Sequence, residues 1–348
     1  MLGLFALSPV MRILRFSRTA AVAFCSAGLL AIAGSTPAHA QVALVQQFST
    51  LMSGHNVIVS GNYDSNRHVD GWLAVGGVAT LDSAEINQRR IGDENTVAFR
   101  AYGGVSLVGN QSRVLSGSGM VPGSTLNLFP RNSGFVLTPG ANSDANPQLA
   151  FNLATSVSTT LPADDFFSSR TPLFGQVSTG LASAATFNPT VSQEGKRFTF
   201  QGSVGEVRVF NLDVGLLNSN SELEVLAPLG SNVVINLTGI QPAGFTTQFN
   251  FVGANADTAS RTLFNVASGN LTLDRTLWGS ILAPNSSIFA NSSANIDGLV
   301  FANNLTHRGE IHNVTFSAIP EPSTYALIVA SLALAGTFVA RRRKQASA

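Results

Sequence analysis

Short apolar runs recur along this chain, and three of them have a glycine near the start and a corner of Gly, Pro or Asn at the end. That recurrence restricts the fold more than any other feature. Val69-Asp70-Gly71-Trp72-Leu73-Ala74-Val75-Gly76-Gly77 is the first example. Leu277 to Asn285 and Asn295 to Asn304 repeat it near the other end, around Gly279 and Gly298. Asn232–Leu237, Gln248–Val252 and Thr262–Val266 lie between them. Runs this short, bounded by turn-forming residues, read as strands rather than helices. A spacing of roughly 14–19 residues between short strands is that of stacked coils, each pairing in parallel with the coils above and below. Asparagine suits the corners, because it tolerates left-handed backbone angles and can form side-chain ladders. The expectation is a mainly β chain built as a parallel β-solenoid or β-helix, with Gly71, Gly279 and Gly298 in equivalent coil positions. An ordinary β-sandwich is the alternative, since its strands also recur at short intervals.

Some segments depart from this pattern. Val42, Leu44, Val45, Phe48 and Leu51 mostly keep a helical stripe, so a short helix is expected over 41–51. Residues 147–160 and 164–185 are rich in Ala, Leu, Phe and Ser and read as one or two helices on the flank, with Asp164 or Asp165 as a cap. Alternation returns at Arg197–Phe200 and Glu206–Phe210, which read as strands. No long Pro/Ser linker interrupts the body, so residues 41–319 are expected to fold as one unit.

The two ends carry different information. Arg12, Arg15 and Arg18 precede an apolar stretch over 19–34, and Ala38-His39-Ala40 offers small residues for a signal peptidase. Residues 1–40 therefore read as a signal peptide cut after Ala40, with Met11 a candidate start; an uncleaved membrane anchor is the alternative. Cys25, the only cysteine, lies in that stretch, so the mature chain would be free of thiols, as suits an oxidising compartment. At the other end Pro320-Glu321-Pro322 precedes an apolar segment from Ala326 to Ala340 and the cluster Arg341-Arg342-Arg343-Lys344. Counted from Ser323, the segment makes about 27 Å of helix, which marginally spans a bilayer and leaves its basic end cytoplasmic.

This order of Pro-Glu-Pro, short helix and arginine cluster resembles the PEP-CTERM sorting signal of Gram-negative bacteria. The resemblance implies processing by an exosortase-type protease at the inner membrane and delivery to the cell surface or beyond. It covers residues 318–344, and it sets residues 318–348 apart as a sorting region from the body over 41–317. Over about residues 48–316 the body resembles the choice-of-anchor A domain, an adhesive domain of bacterial surface proteins. The runs at Val69–Gly77, Asn232–Gly239 and Gly279–Asn285, with Asp297-Gly298 and Gly309-Glu310-Ile311-His312-Asn313, carry that likeness. Members bear different surface anchors, PEP-CTERM tails among them, and the family implies attachment without catalytic residues.

Residues capable of chemistry are few. Asp64, Asn66 and Asp70 are a loose candidate for calcium, but Val69 and Val75 stand where an EF-hand needs Gly and a bidentate acid. His55, His68, His307 and His312 could make a metal site only if the two ends of the body met, and none has the spacing of a zinc helix. No metal and no cofactor is therefore assigned. Asp164-Asp165 and Glu222/Glu224 are the closest acid pairs; a helix cap and a solvated strand face explain them better than a glycosidase pair. Seven of the 20 cations lie in the two ends, against one of the 19 acids, Glu321, so the body is net acidic and unsuited to nucleic acid.

Two functions fit. One is a non-enzymatic surface adhesin that binds matrix polysaccharide or another surface ligand and acts in attachment or biofilm. The other is a polysaccharide lyase or hydrolase on a β-helix, for which the single body lysine, Lys196, beside Arg197 is slight support. An ice-binding face would need a regular threonine rank, and Thr199, Thr246-Thr247 and Thr272 form none in sequence.

Overall fold

The computed structural model describes residues 37–92, 96–108, 112–115, 118–120, 127–128, 135–137, 165–192 and 194–319. The signal stretch before residue 37, the expected helix over 147–160, Asp164 and the sorting segment from residue 320 lie outside them. Among the described residues the chain is mainly β, with helices α1 (Pro37–Met52), α2 (Phe166–Ser183) and α3 (Ala256–Ala259). No helix of the described residues is long and apolar enough to cross a membrane.

The strands pair in parallel almost throughout, as stacked coils require and a sandwich does not. Each full coil crosses three faces. On the first face, Val207–Asp213 pairs with Asn232–Thr238, then come Thr262–Asn265, Ser280–Ala290 and Val300–His307. The next neighbour is not the next strand in sequence. Val300–His307 pairs with His55–Val59, the first strand of the body, and the stack continues through Trp72–Val75 and Val97–Ala101. The beginning of the body is therefore laid against its end. The coil at this seam is composite: Ile311–His312 supplies its third face, while His55–Val59 and Tyr63–Ser65 supply the other two.

Alternation along each strand sends every second side chain inward. One interior row on the first face runs Phe210, Ile235, Phe264, Ile281, Val300, Val57, Leu73 and Phe99, every member buried. These rows join into one apolar cluster that extends to both sides of the seam. The outward row beside it reads Asn211, Asn236, Asn265, Leu282, Phe301, Ile58 and Ala74. It is covered by α1 and α2, which form a second cluster with it. Phe174 of α2 stacks on Phe301 at 3.7 Å between ring centroids, and Phe48 of α1 meets Phe174 edge-on. Where the row is amide it is laddered. Asn265 Nδ2 donates to Asn236 Oδ1 (2.9 Å), Asn236 Nδ2 to Asn211 Oδ1 (3.2 Å), and Ser178 Oγ of α2 to Asn265 Oδ1 (2.6 Å).

The helix expected over 41–51 begins earlier, at Pro37, and its buried face starts at Gln41, whose amide donates to the Ala184 carbonyl. Asp165 precedes α2 but its side chain caps nothing. Its backbone angles, φ −91 and ψ 21, are not the extended ones that would aim the carboxylate at the first amides. Gly71 and Gly279 immediately precede first-face strands, and Gly298 stands one residue further back. A Cβ on Gly298 would strike the carbonyl of Gly279, so close backbone approach between coils fixes the residue there; Gly279 itself has φ +149.

Candidate functional site

Among the described residues no helix covers the second face. Its strands are Phe245–Thr247, Leu271–Leu273, the end of Ser280–Ala290, the end of Val300–His307, Tyr63–Ser65, Ala79–Leu81 and Val105–Leu107. Register places Thr246, Thr272, Phe289, Thr306, Asp64, Thr80 and Ser106 in one outward row. Thr247 points inward and is buried, while Thr199 belongs to the third face, where its hydroxyl donates to Glu224. Four threonines thus share a rank that unequal coil lengths hide in the sequence. Phe289 interrupts it, 39% exposed, and so does Asp64, whose two carboxylate oxygens accept from Arg308 at 2.9 and 3.1 Å.

Beside this rank runs a row of corner residues tied across coils. Asn270 Oδ1 accepts from the Ser287 amide, Asn304 Nδ2 donates to Ser287 Oγ, Asn304 Oδ1 accepts from the Asn62 amide, and Asn62 Oδ1 accepts from the Val78 amide. The two rows line an open depression of about 720 Å³. Its lining is mostly amide and hydroxyl, with the exposed Phe289 ring and Val78; Asp64 is the only acid among the lining residues. Behind it, Tyr63 and His307 are fully buried and joined at 2.6 Å. His307 Nδ1 faces the Gly309 carbonyl, so that nitrogen carries the hydrogen and the Tyr63 hydroxyl donates to Nε2. Burial lowers the His307 pKa to about 4 and raises that of Tyr63 above its ordinary value.

The third face holds the polar residues of the seam. His312 Nδ1 meets Asp297 Oδ1 at 2.7 Å, and its Nε2 meets Glu310 Oε2 at 3.1 Å. His68, which follows the first body strands, brings Nε2 to 3.3 Å from the same Glu310 oxygen. The hydrogen bond to Asp297 raises the His312 pKa to about 9, against a partial burial that opposes it and with help from Glu310. Two of the four histidines therefore come together because the ends of the body meet. The other two do not join them. His55 is buried under α2, against Trp72 and Phe166, with its pKa lowered to about 4 chiefly by burial, and His307 lies behind the second face.

The loose calcium trio is not assembled. Asp64 pairs with Arg308 on the second face. Asp70 lies on the third, where Arg89 Nε approaches to 2.7 Å and the Asn313 amide donates at 3.1 Å. Asn66 Oδ1 is buried without a partner. Glu222 and Glu224 do share a face, as alternation requires, but each is held by the adjacent coil, Glu222 by Arg197 and Glu224 by Thr199. The sorting residues Pro320, Glu321, Pro322, Arg341, Arg342 and Arg343 lie outside the described residues; Ala38 and Ala40 fall in the first turn of α1. Sequence reasoning missed Phe289, Thr306 and Glu310. The alternation Ile288-Phe289-Ala290 puts Phe289 outward, a local signal that could have found it.

The family described as "Putative Ice-binding-like adhesive domain" matches residues 48–313, and the PEP-CTERM protein-sorting motif matches residues 318–344. Among solved structures, an ice-binding protein from the Antarctic ascomycete Antarctomyces psychrotrophicus is similar at 13% identity, with a TM-score of 0.37, over 77% of this chain and 98% of that one. A glycosylated ice-binding protein from an Arctic yeast is similar at 9% identity, with a TM-score of 0.34, over 78% of this chain and 94% of the other. No curated protein matches.

Proposed function

The chain belongs to the ice-binding-like adhesive family and carries a PEP-CTERM sorting motif, and from that premise we propose that it is a non-enzymatic surface adhesin whose open second face holds a hydroxyl-rich polysaccharide. The observation that carries this reading is the rank of Thr246, Thr272, Thr306 and Thr80 around the exposed Phe289, beside the corner amides. Hydroxyls and amides exchange hydrogen bonds with sugar hydroxyls, while an exposed ring offers an apolar platform to the C–H face of a pyranose. Single contacts of this kind are weak and gain strength when many copies sit on one cell. A hydrolase is disfavoured because glycoside hydrolysis ordinarily uses two carboxylates about 5–10 Å apart, whereas the one acid of the depression is neutralised by Arg308.

The sorting motif supports export through the inner membrane, a transient hold by the C-terminal segment, and processing by an exosortase-type protease. Replacing Pro320-Glu321-Pro322 by alanines should then leave the protein in the inner membrane. The face itself is tested by incubating the protein with the exopolysaccharide of its own cells. Co-sedimentation should occur, should weaken at least tenfold in Phe289→Ala, and should leave the polymer at its starting length. A shortened polymer would instead establish the enzyme reading. The threonine rank also favours ice as a second ligand. Inhibition of ice recrystallisation that survives Phe289→Ala but not Thr272→Tyr would decide for it.

A further inference from the structure

The seam on the third face contains a set of ligand atoms that no coil interface needs. Ile311–His312 pairs with Ile296–Asp297 on one side, and Ile311 bridges to Val69 on the other, so backbone hydrogen bonds already join these coils. Onto that junction His68 comes from the beginning of the body, and Glu310 and His312 come from its end. Their nearest ligand atoms, His68 Nε2, Glu310 Oε2 and His312 Nε2, lie within 4.8 Å of one another. Glu310 Oε2 stands 3.3 Å from one imidazole nitrogen and 3.1 Å from the other. Ligands on a tetrahedral ion with bonds of about 2.0–2.1 Å stand roughly 3.3 Å apart, and both glutamate–imidazole spacings match that value.

The surroundings fit as well. The other ring nitrogen of His312, Nδ1, is engaged by Asp297 at 2.7 Å, which fixes the ring and leaves Nε2 facing Glu310 and His68. A carboxylate behind a ligating imidazole is the usual outer support of a histidine metal ligand. Asp70 Oδ1 lies 4.0 Å from His68 Nε2, while its other oxygen is held by Arg89, so one further carboxylate oxygen borders the position. His68, Glu310 and His312 are half-buried, neither sealed from solvent nor free to swing.

We propose that His68, Glu310 and His312 bind one divalent transition-metal ion, zinc or a neighbour in ligand preference, and that this ion bolts the first turn of the body to its last. Two imidazoles and a carboxylate suit zinc or cobalt and do not suit calcium, which takes six to eight oxygens. The ion would close a loop that spans nearly the whole body, the case in which a cross-link restricts the unfolded chain most. One coordination position is left for water or for a donor from whatever the surface meets.

The test uses the full chain, untagged and stripped with a chelator, and titrates it with Co²⁺ alone and then with Zn²⁺. One equivalent of Co²⁺ should give the visible absorption of a four- or five-coordinate ion, Zn²⁺ should abolish it, and excess Ca²⁺ should not. Zn²⁺ should raise the midpoint of thermal unfolding in proportion to the logarithm of its concentration above Kd. His68→Gln and Glu310→Gln should each lower Co²⁺ affinity at least 100-fold. Asp297→Asn should lower it about 10–100-fold with one equivalent still bound. Failure of the wild-type chain to take up one equivalent of either ion below 100 μM would overturn the proposal, whatever the variants do. So would unchanged uptake in a folded His68→Gln/Glu310→Gln double variant, which would leave the cluster as an ion-paired clasp and nothing more.

Discussion

The first and second faces are built by the same coils, often by two ends of the same strand, and they share an interior, yet their outer surfaces have opposite fates. Residues 280–283 and 300–303 send Leu282 and Phe301 out under α2, while the ends of those strands send Phe289 and Thr306 toward solvent. Phe301 and Phe289 are both outward phenylalanines of stacked strands. One is fully buried against Phe174 and the other is 39% exposed. The backbone is therefore indifferent to which side becomes core. Helix coverage decides it, and the row chemistry follows: apolar residues and satisfied amides where a helix packs, threonines and amides open to solvent where none does. An asparagine ladder occurs on both, but under α2 it is closed by Ser178, whereas on the open face it ends at the corner.

The largest effect should come from truncating the covered ring. Phe301→Ala should cost about 3–5 kcal/mol, because a stacked aromatic is replaced by a cavity, and denaturant unfolding monitored by far-UV circular dichroism measures it. A loss under about 1 kcal/mol would mean that α2 is only loosely seated.

Acid should come next and should act behind both faces. His55 and His307 are held neutral with pKa values near 4, whereas in the unfolded chain they titrate near 6.5. The unfolded state therefore binds more protons. Stability should be constant on this account above pH 6.5, fall as pH drops below it, and level off near 4, at a cost of up to about 3 kcal/mol for each histidine. His55→Phe should remove part of that slope, because His55 Nε2 has no hydrogen-bond partner and the site is aromatic. A Tm profile as steep in that variant as in the parent would assign the whole acid response to other groups.

Breaking the amide ladder should have a smaller effect. Asn265→Ala leaves Asn236 Oδ1 and Ser178 Oγ without their mutual partner in a buried site, a loss of about 1–3 kcal/mol. Hydrogen exchange should rise in α2 more than in the coil interior if the ladder chiefly fastens the helix. The smallest stability effect belongs to the open face. Phe289→Ala should change unfolding by no more than about 0.5 kcal/mol while weakening polysaccharide capture at least tenfold, since an exposed ring packs on little. Destabilisation equal to that of Phe301→Ala would erase the distinction between the two faces.

Much of the architecture was legible because it depends on neighbours in sequence. The strands at 72–75, 197–200 and 232–237, the helix near 41–51 and the one after residue 165 all follow from local alternation, stripe or corner residues. Gly298 was legible as a recurring coil position, and the reason for a glycine there is its backbone contact with Gly279. The sites were far less legible. His68 and His312 have no helical or ribbon spacing, and nothing local says that residue 57 lies beside residue 300. The threonine rank was missed because its members fall on coils of unequal length, and Phe289 stands where a counting rule would look for a threonine.

What the sequence by itself determined is the set of elements and addresses: short strands with Gly and Asn corners, a first helix and a sorting motif. Tertiary structure alone decided the order in which the coils stack, which face the helices cover, and therefore which residues stand in rank or meet at the seam. The physical reason is that a strand's alternation fixes only inside and outside. Parallel register comes from interior side chains of separate coils packing against one another, and helix docking depends on a row assembled from many coils. Both are sums over contacts between residues far apart in the chain, so no local stretch contains them.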